Sequence, residues 1–215
     1  MGRRMRGLVL LLAVTACADL LPPPGVDPYE YRDFQPGGGG TTALAFHWPR
    51  SFLPVTVYVE AESPLRASVI HAIDTWQGAF VYGELRMRLV ADSAGADIIV
   101  RNEAPTKPTP GVRLDGGGGS CFGSTDLDPD RSTGTIALPF RIRIATLTLP
   151  TNPDLQGCYD ATVLHEFGHA IGIFAHSSDA GDVMYVSPTR TDLSARDQAT
   201  IEAVYHLPAT LVPVR

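Results

Sequence analysis

The sequence predicts an α+β fold. Three observations carry that prediction: alternating apolar runs of strand period, apolar residues recurring at helical spacing, and several strands falling between two helices. The folded part is expected from Phe46 onward. Val55, Val57 and Val59 alternate with Thr56 and Tyr58, which reads as a strand. Ser63-Pro64 then offers an N-cap followed by proline at the first helical position. From there Val69, Ile70, Ile73, Trp76 and Phe80 mark an amphipathic helix ending near Phe80. Leu85 to Val90 and Asp97 to Val100 read as two further strands, and residues 102–119 as a loop rich in proline and glycine. Gly134 to Leu138 and Arg141 to Leu149 read as strands separated by Pro139. A second helix is expected over Ala161 to Gly172. A third runs from Ser194 to about His206, where Asp197 lies three residues after Ser194 and completes a capping box.

The 215 residues are 44% hydrophobic and 19% charged, which suits one folded domain with a tail. A net charge of −6 leaves no basic stripe to neutralise phosphates, so a nucleic-acid surface is excluded. The one basic cluster, Arg3, Arg4 and Arg6, precedes an apolar run from Gly7 to Val14. That run is shorter than the roughly 20 residues a bilayer span needs. With the small residues that follow, it describes a signal peptide over residues 1–16. Val14-Thr15-Ala16-Cys17 resembles the lipobox of bacterial lipoproteins, which makes Cys17 the lipidation candidate. The expected location is therefore outside the cytoplasm, lipid-anchored to the bacterial cell envelope, or secreted if Cys17 is not lipidated. No other segment is apolar enough to span, so membrane contact is expected only through that anchor. Residues 17–45 contain Pro22-Pro23-Pro24 and Gly37 to Gly40 and read as a tether holding a catalytic domain of residues 46–215. Cys121 and Cys158 are then an even pair in an oxidising setting, with a disulfide as the default and, as alternatives, two free thiols or one acting as a metal-blocking inhibitor.

The chemistry concentrates at His165-Glu166-Phe167-Gly168-His169. Residues four apart on a helix share a face, about 6 Å from each other, which suits two corners of a tetrahedral zinc site. Glu166 follows the first histidine and is placed to take a proton from water at the metal's open position. The helix carries Val163, Leu164, Phe167 and Ile171, so it is expected to be partly buried, and buried histidines need partners. Gly172 permits the left-handed turn that ends a helix, after which the chain can return a third ligand. His176 is the candidate, with Asp179 or Asp182 as substitutes. Met184, in Asp182-Val183-Met184-Tyr185, sits in a tight loop that could pass beneath the metal.

At His165, Glu166, His169, Gly172, His176, Ser177 and Met184 the sequence resembles the metzincin zinc peptidases, the matrixin group most closely. A looser likeness extends to the Trp76 helix, the Ala96-Asp97-Ile98 strand and the helix opening at Ser194-Ala195-Arg196-Asp197. One departure stands out: His176 comes eleven residues after His165, where the family pattern has ten. The resemblance implies a zincin-like fold, with a small twisted mixed sheet, an active-site helix, a Met-turn at Met184 and a C-terminal helix. It implies one catalytic Zn2+ on His165, His169 and His176, with Glu166 as general base of an endopeptidase. It also implies that a protein or peptide substrate adds as a strand to the sheet edge, which Gly134–Leu138 or Arg141–Leu149 would supply.

Two alternatives stay open. A glutamate third ligand would have to be Glu202, the sole glutamate after Glu166. A catalytically silent surface lipoprotein could use the same fold as a binding module, although it would have no need of Glu166. Asp126, Asp128 and Asp130 alternate and could bind calcium. Arg131 stands where a calcium loop needs glycine, so Ca2+ is possible but unsupported and a solvated acidic turn is expected.

Overall fold

A computed structural model describes residues 25–37, 40–104, 112–116, 121–146 and 155–215. The signal peptide, Cys17 and the first part of the tether lie outside the described residues. Among the described residues, no helix is long and apolar enough to cross a membrane.

Among the described residues the fold is α+β, with a mostly parallel sheet and three α-helices. A hairpin of β1 (Asp33–Gly37) and β2 (Gly40–Leu44) precedes the main sheet. That sheet comprises β3 (Val55–Tyr58), β4 (Met87–Val90), β5 (Ile98–Asn102), β6 (Val112–Gly116), β7 (Cys121–Asp130), β8 (Thr135–Thr146) and β9 (Val212–Val214). Its order is β4-β3-β5-β8-β7-β6, with β9 paired to one end of β8. The β3–β4, β3–β5, β5–β8 and β8–β9 pairs are parallel, whereas β7 runs antiparallel to both β6 and β8. Helices α1 (Arg66–Gly78) and α2 (Leu155–Ile171) pack together, and α3 (Ala195–His206) meets the segment before β1, where Thr200 Oγ1 accepts from Tyr29 N at 3.1 Å.

Several expectations need correction. Phe46 does not open the folded part: Tyr29, Tyr31 and Leu44, all in the presumed tether, are buried in the core. Ser63 does not cap α1 from the N-cap position, which Leu65 holds. A turn intervenes, in which the Ser63 carbonyl accepts from Arg66 N at 3.1 Å. Helix α2 begins six residues before Ala161.

Neither proposed edge strand is an edge. Gly134–Leu138 and Arg141–Leu149 fall largely within one strand, β8, flanked by β5 and β7. Proline lacks the N–H a ladder requires, and Pro139 sits where that loss is tolerated. The β9 pairing covers Thr135 to Ala137, the β5 pairing starts at Phe140, and the β7 register shifts between Asp126 and Asp128. Among the described strands, β6 forms the sheet edge beyond β7.

The acidic run is not a turn either. Asp126 and Asp128 lie in β7, where Asp126 forms an ion pair with Arg143. Asp130 Oδ1 accepts from Ser132 N at 2.9 Å and from Ser132 Oγ at 2.7 Å.

The core gathers between sheet and helices. Phe46 packs edge-on against Trp48 and Phe140, at centroid distances of 5.3 and 5.4 Å. Both buried indoles hydrogen-bond to α2, Trp76 Nε1 donating to Leu164 O at 2.9 Å and Trp48 Nε1 to Ala170 O at 3.0 Å. Polar atoms in so dry a place need such partners. They therefore fix the axial position of the helix that carries the histidines.

Candidate metal centre

From Tyr159 onward almost every residue of α2 is buried, including His165, Glu166 and His169. Burying three ionisable side chains on one helix is costly without specific partners. The partners are visible. His165 Nδ1 lies 2.8 Å from Val183 O, and His169 Nδ1 lies 2.6 Å from Ile173 O. A carbonyl can only accept, so each Nδ1 carries the proton and each Nε2 keeps its lone pair. Burial pushes the His165 imidazole down to about 3 and that of His169 well below the usual histidine range, so both rings stay neutral.

The chain then delivers a third imidazole. Gly172 ends α2 with φ of +123°, and a Cβ there would strike Phe46 O. Only glycine suits that combination of left-handed backbone and close approach. The following loop is held by the segment before β1: Tyr31 O accepts from Phe174 N at 2.7 Å and from Ala175 N at 3.2 Å. His176 follows, with its Nε2 3.2 Å from His169 Nε2. One nitrogen from each of His165, His169 and His176 lies within 4.8 Å of the others. His176 thus joins the pair at a spacing of eleven residues, from a loop whose Phe174 and Ala175 N–H groups are held by the Tyr31 carbonyl.

The substitutes are engaged elsewhere. Asp182 accepts from Ser177 Oγ at 2.5 Å and from Ser194 Oγ at 2.7 Å, and Arg196 lies 3.2 Å away. Asp179 caps its own turn, accepting from Gly181 N at 2.8 Å. Glu202, on α3, has Glu84 and His206 as its charged neighbours rather than the histidine cluster.

Met184 is fully buried against Gly168, the residue between the two helical histidines; a Cβ at Gly168 would collide with its Sδ. Its loop is tied back by Ser177 N donating to Met184 O at 2.8 Å. The same loop is anchored from α3. Asp197 Oδ2 accepts from Val183 N at 2.9 Å and from Ser194 N at 2.8 Å, and its Oδ1 accepts from Tyr29 OH at 2.8 Å. The capping box expected at Ser194 is present, but Asp197 does more than cap. It holds the peptide unit next to Val183, whose carbonyl orients His165.

Glu166 lies under β7. Thr125 Oγ1 is 2.6 Å from Glu166 Oε2, and a Cβ at Gly123 would run into Glu166 Oε1. Cys121 and Cys158 form a disulfide that joins the start of β7 to α2, with Cα atoms 5.8 Å apart. Thr125, Asp197 and the Tyr31 carbonyl were not anticipated as contributors. Asp197 had a signal, its capping-box spacing; a backbone carbonyl has none.

The donor set fits a metal of zinc type. Neutral imidazole suits zinc, and bonds of about 2.0–2.1 Å in a tetrahedron put ligand nitrogens roughly 3.3 Å apart, close to the His169–His176 separation. His165 Nε2, fully buried, has no hydrogen-bond partner among the described residues, which is costly unless something else takes its lone pair. No protein-family model matches the chain, and no curated protein matches it in sequence.

Proposed function

We propose that the protein is a zinc-dependent endopeptidase of metzincin type, closest to the matrixins. The observation that carries this reading is the convergence of three imidazole nitrogens, two of them from the helix that also carries the fully buried Glu166, with the two helical rings pinned at Nδ1 by backbone carbonyls. A structural zinc site usually closes with four protein ligands; three that leave the fourth position to water is the catalytic pattern.

His165, His169 and His176 would hold the ion. When bound, zinc supplies a Lewis acid that acidifies water and polarises a scissile carbonyl. Val183 O and Ile173 O keep His165 and His169 in the tautomer that offers Nε2, so no proton is displaced from those rings on binding. Glu166 acts as general base: it takes a proton from the attacking water and delivers it to the leaving nitrogen. Met184 offers an apolar floor under the histidines at Gly168. A substrate would enter as an extended strand at the β6–β7 end of the sheet, which packs on α2.

The matrixin reading also draws support from the Met184 loop and from the α3 capping box at Ser194. The test is cleavage of a denatured generic protein by the purified chain, with and without a chelator, beside the Glu166→Gln variant. Chelator-sensitive cleavage that the variant loses supports the reading. Zinc-loaded protein that cleaves nothing turns it toward a binding module.

A further inference from the structure

We propose that Thr125 is a positioning residue that holds the Glu166 carboxylate for proton transfer; this rests on the endopeptidase reading. Glutamate has three side-chain torsions, and a base that must find its orientation at each turnover is slower than one already oriented. Strand β7 supplies the constraint. Side chains on a strand alternate, so residues 123 and 125 share a face. In β7 that face meets α2 at Glu166.

Thr125 is fully buried, and its hydroxyl has one proton to give. Two acceptors are in range: Glu166 Oε2 at 2.6 Å and the Glu166 backbone carbonyl at 3.0 Å. The shorter contact has the length of a hydroxyl donating to a carboxylate, the stronger kind of bond. Oε2 is therefore the held oxygen. Oε1 is turned toward Gly123, where a Cβ would also meet Glu166 Cδ at 2.8 Å and Thr162 Cγ2 at 2.7 Å. Glycine at that position lets the strand descend until residue 125 reaches the carboxylate.

Burial alone does not account for the contact. Ser124 Oγ and Thr162 Oγ1 are also buried nearby, and neither has a hydrogen-bond partner among the described residues. Of these three hydroxyls, Thr125 is the one joined to the catalytic candidate. The disulfide between Cys121 and Cys158 fastens the same strand to the same helix a few residues away, so the distance from residue 125 to Glu166 is set from two points.

The experiment compares Thr125→Val and Thr125→Ser in the full zinc-loaded chain, measuring kcat, KM, zinc content and melting temperature. Valine keeps the shape and removes the proton; serine keeps the proton. The expected result is a kcat roughly tenfold or more lower for Thr125→Val, with KM and zinc content held within about twofold. Thr125→Ser should recover most of the loss. A zinc-loaded Thr125→Val variant with wild-type kcat overturns the proposal, and so does a Thr125→Ser variant as impaired as the valine one. If the wild type cleaves nothing, the endopeptidase reading fails by itself. Thr125 is then judged by a double-mutant cycle with Glu166→Ala on the unfolding equilibrium constant. A coupling of roughly tenfold supports the hold on the carboxylate, and additivity within about twofold overturns it.

Discussion

Replacing Asp197 by alanine should cost about 3–5 kcal/mol, and should weaken the metal site although Asp197 touches none of the histidines. The carboxylate is fully buried and accepts from Tyr29 OH, Val183 N and Ser194 N, at 2.8, 2.9 and 2.8 Å. A net hydrogen bond to a charged group contributes about 1.5–3 kcal/mol, and a buried donor left unpaired costs about 1–3 kcal/mol. Three such losses share one cavity and do not add fully, which keeps the total near the lower sums. Against a typical stability of about 5–15 kcal/mol this is a large fraction. The assay is urea denaturation, where the midpoint should fall at unchanged m-value. Tyr29→Phe removes one donor and should cost about 1–2 kcal/mol. Val183 O orients His165, so metal affinity in the alanine variant should drop roughly tenfold while the protein remains folded in low denaturant. A cost under about 1 kcal/mol, or an unchanged metal affinity, would refute the claim that Asp197 anchors this loop.

Three further outcomes are expected. On the proposed endopeptidase reading, Gly123→Ala should lower peptidase activity by at least tenfold while leaving zinc bound, because the new methyl displaces Glu166 and Thr162 rather than a histidine; equal activity in both proteins, read by turnover and metal content, would contradict the packing. Replacing Cys121 and Cys158 by serine opens a loop of sequence separation 37 and should cost about 4 kcal/mol by chain entropy, read from thermal melts. Desolvation and the neighbouring Asp197 carboxylate raise the Tyr29 phenol well above its usual value. Its share of stability is thus complete below pH of about 10, where the unfolded phenol titrates, and is lost as pH rises beyond it, by up to about 1.4 kcal/mol per unit. Melting temperatures taken through that range should fall less steeply in Tyr29→Phe.

Most of the central elements and the helical half of the candidate site were legible because they are periodic, but β6 (Val112–Gly116) lies within residues 102–119, which read as a loop. His165, Glu166 and His169 needed only the helical repeat, and the Ser194 capping box only its three-residue offset. What escaped depends on contacts across the fold. Strand β7 carries Gly123, Pro129 and aspartates at 126, 128 and 130, a composition that locally favours turns; pairing with β8 and the Asp126–Arg143 ion pair override that preference. Missing the strand meant missing Thr125. Pro139 reads as a strand end unless the neighbouring strands are known to leave it unpaired. Tyr29 and Tyr31 are isolated among tether-like residues, and their burial against α3 and the His176 loop follows from long-range docking that no local pattern encodes.

The most direct test of the account is a zinc titration of the full chain beside His169→Ala and His176→Ala, read by competition with a chromogenic chelator. The account predicts one tightly bound zinc in the wild type, with affinity collapsing in both variants. A wild type that binds no zinc would contradict it, as would a His176→Ala variant that binds zinc as tightly as the wild type.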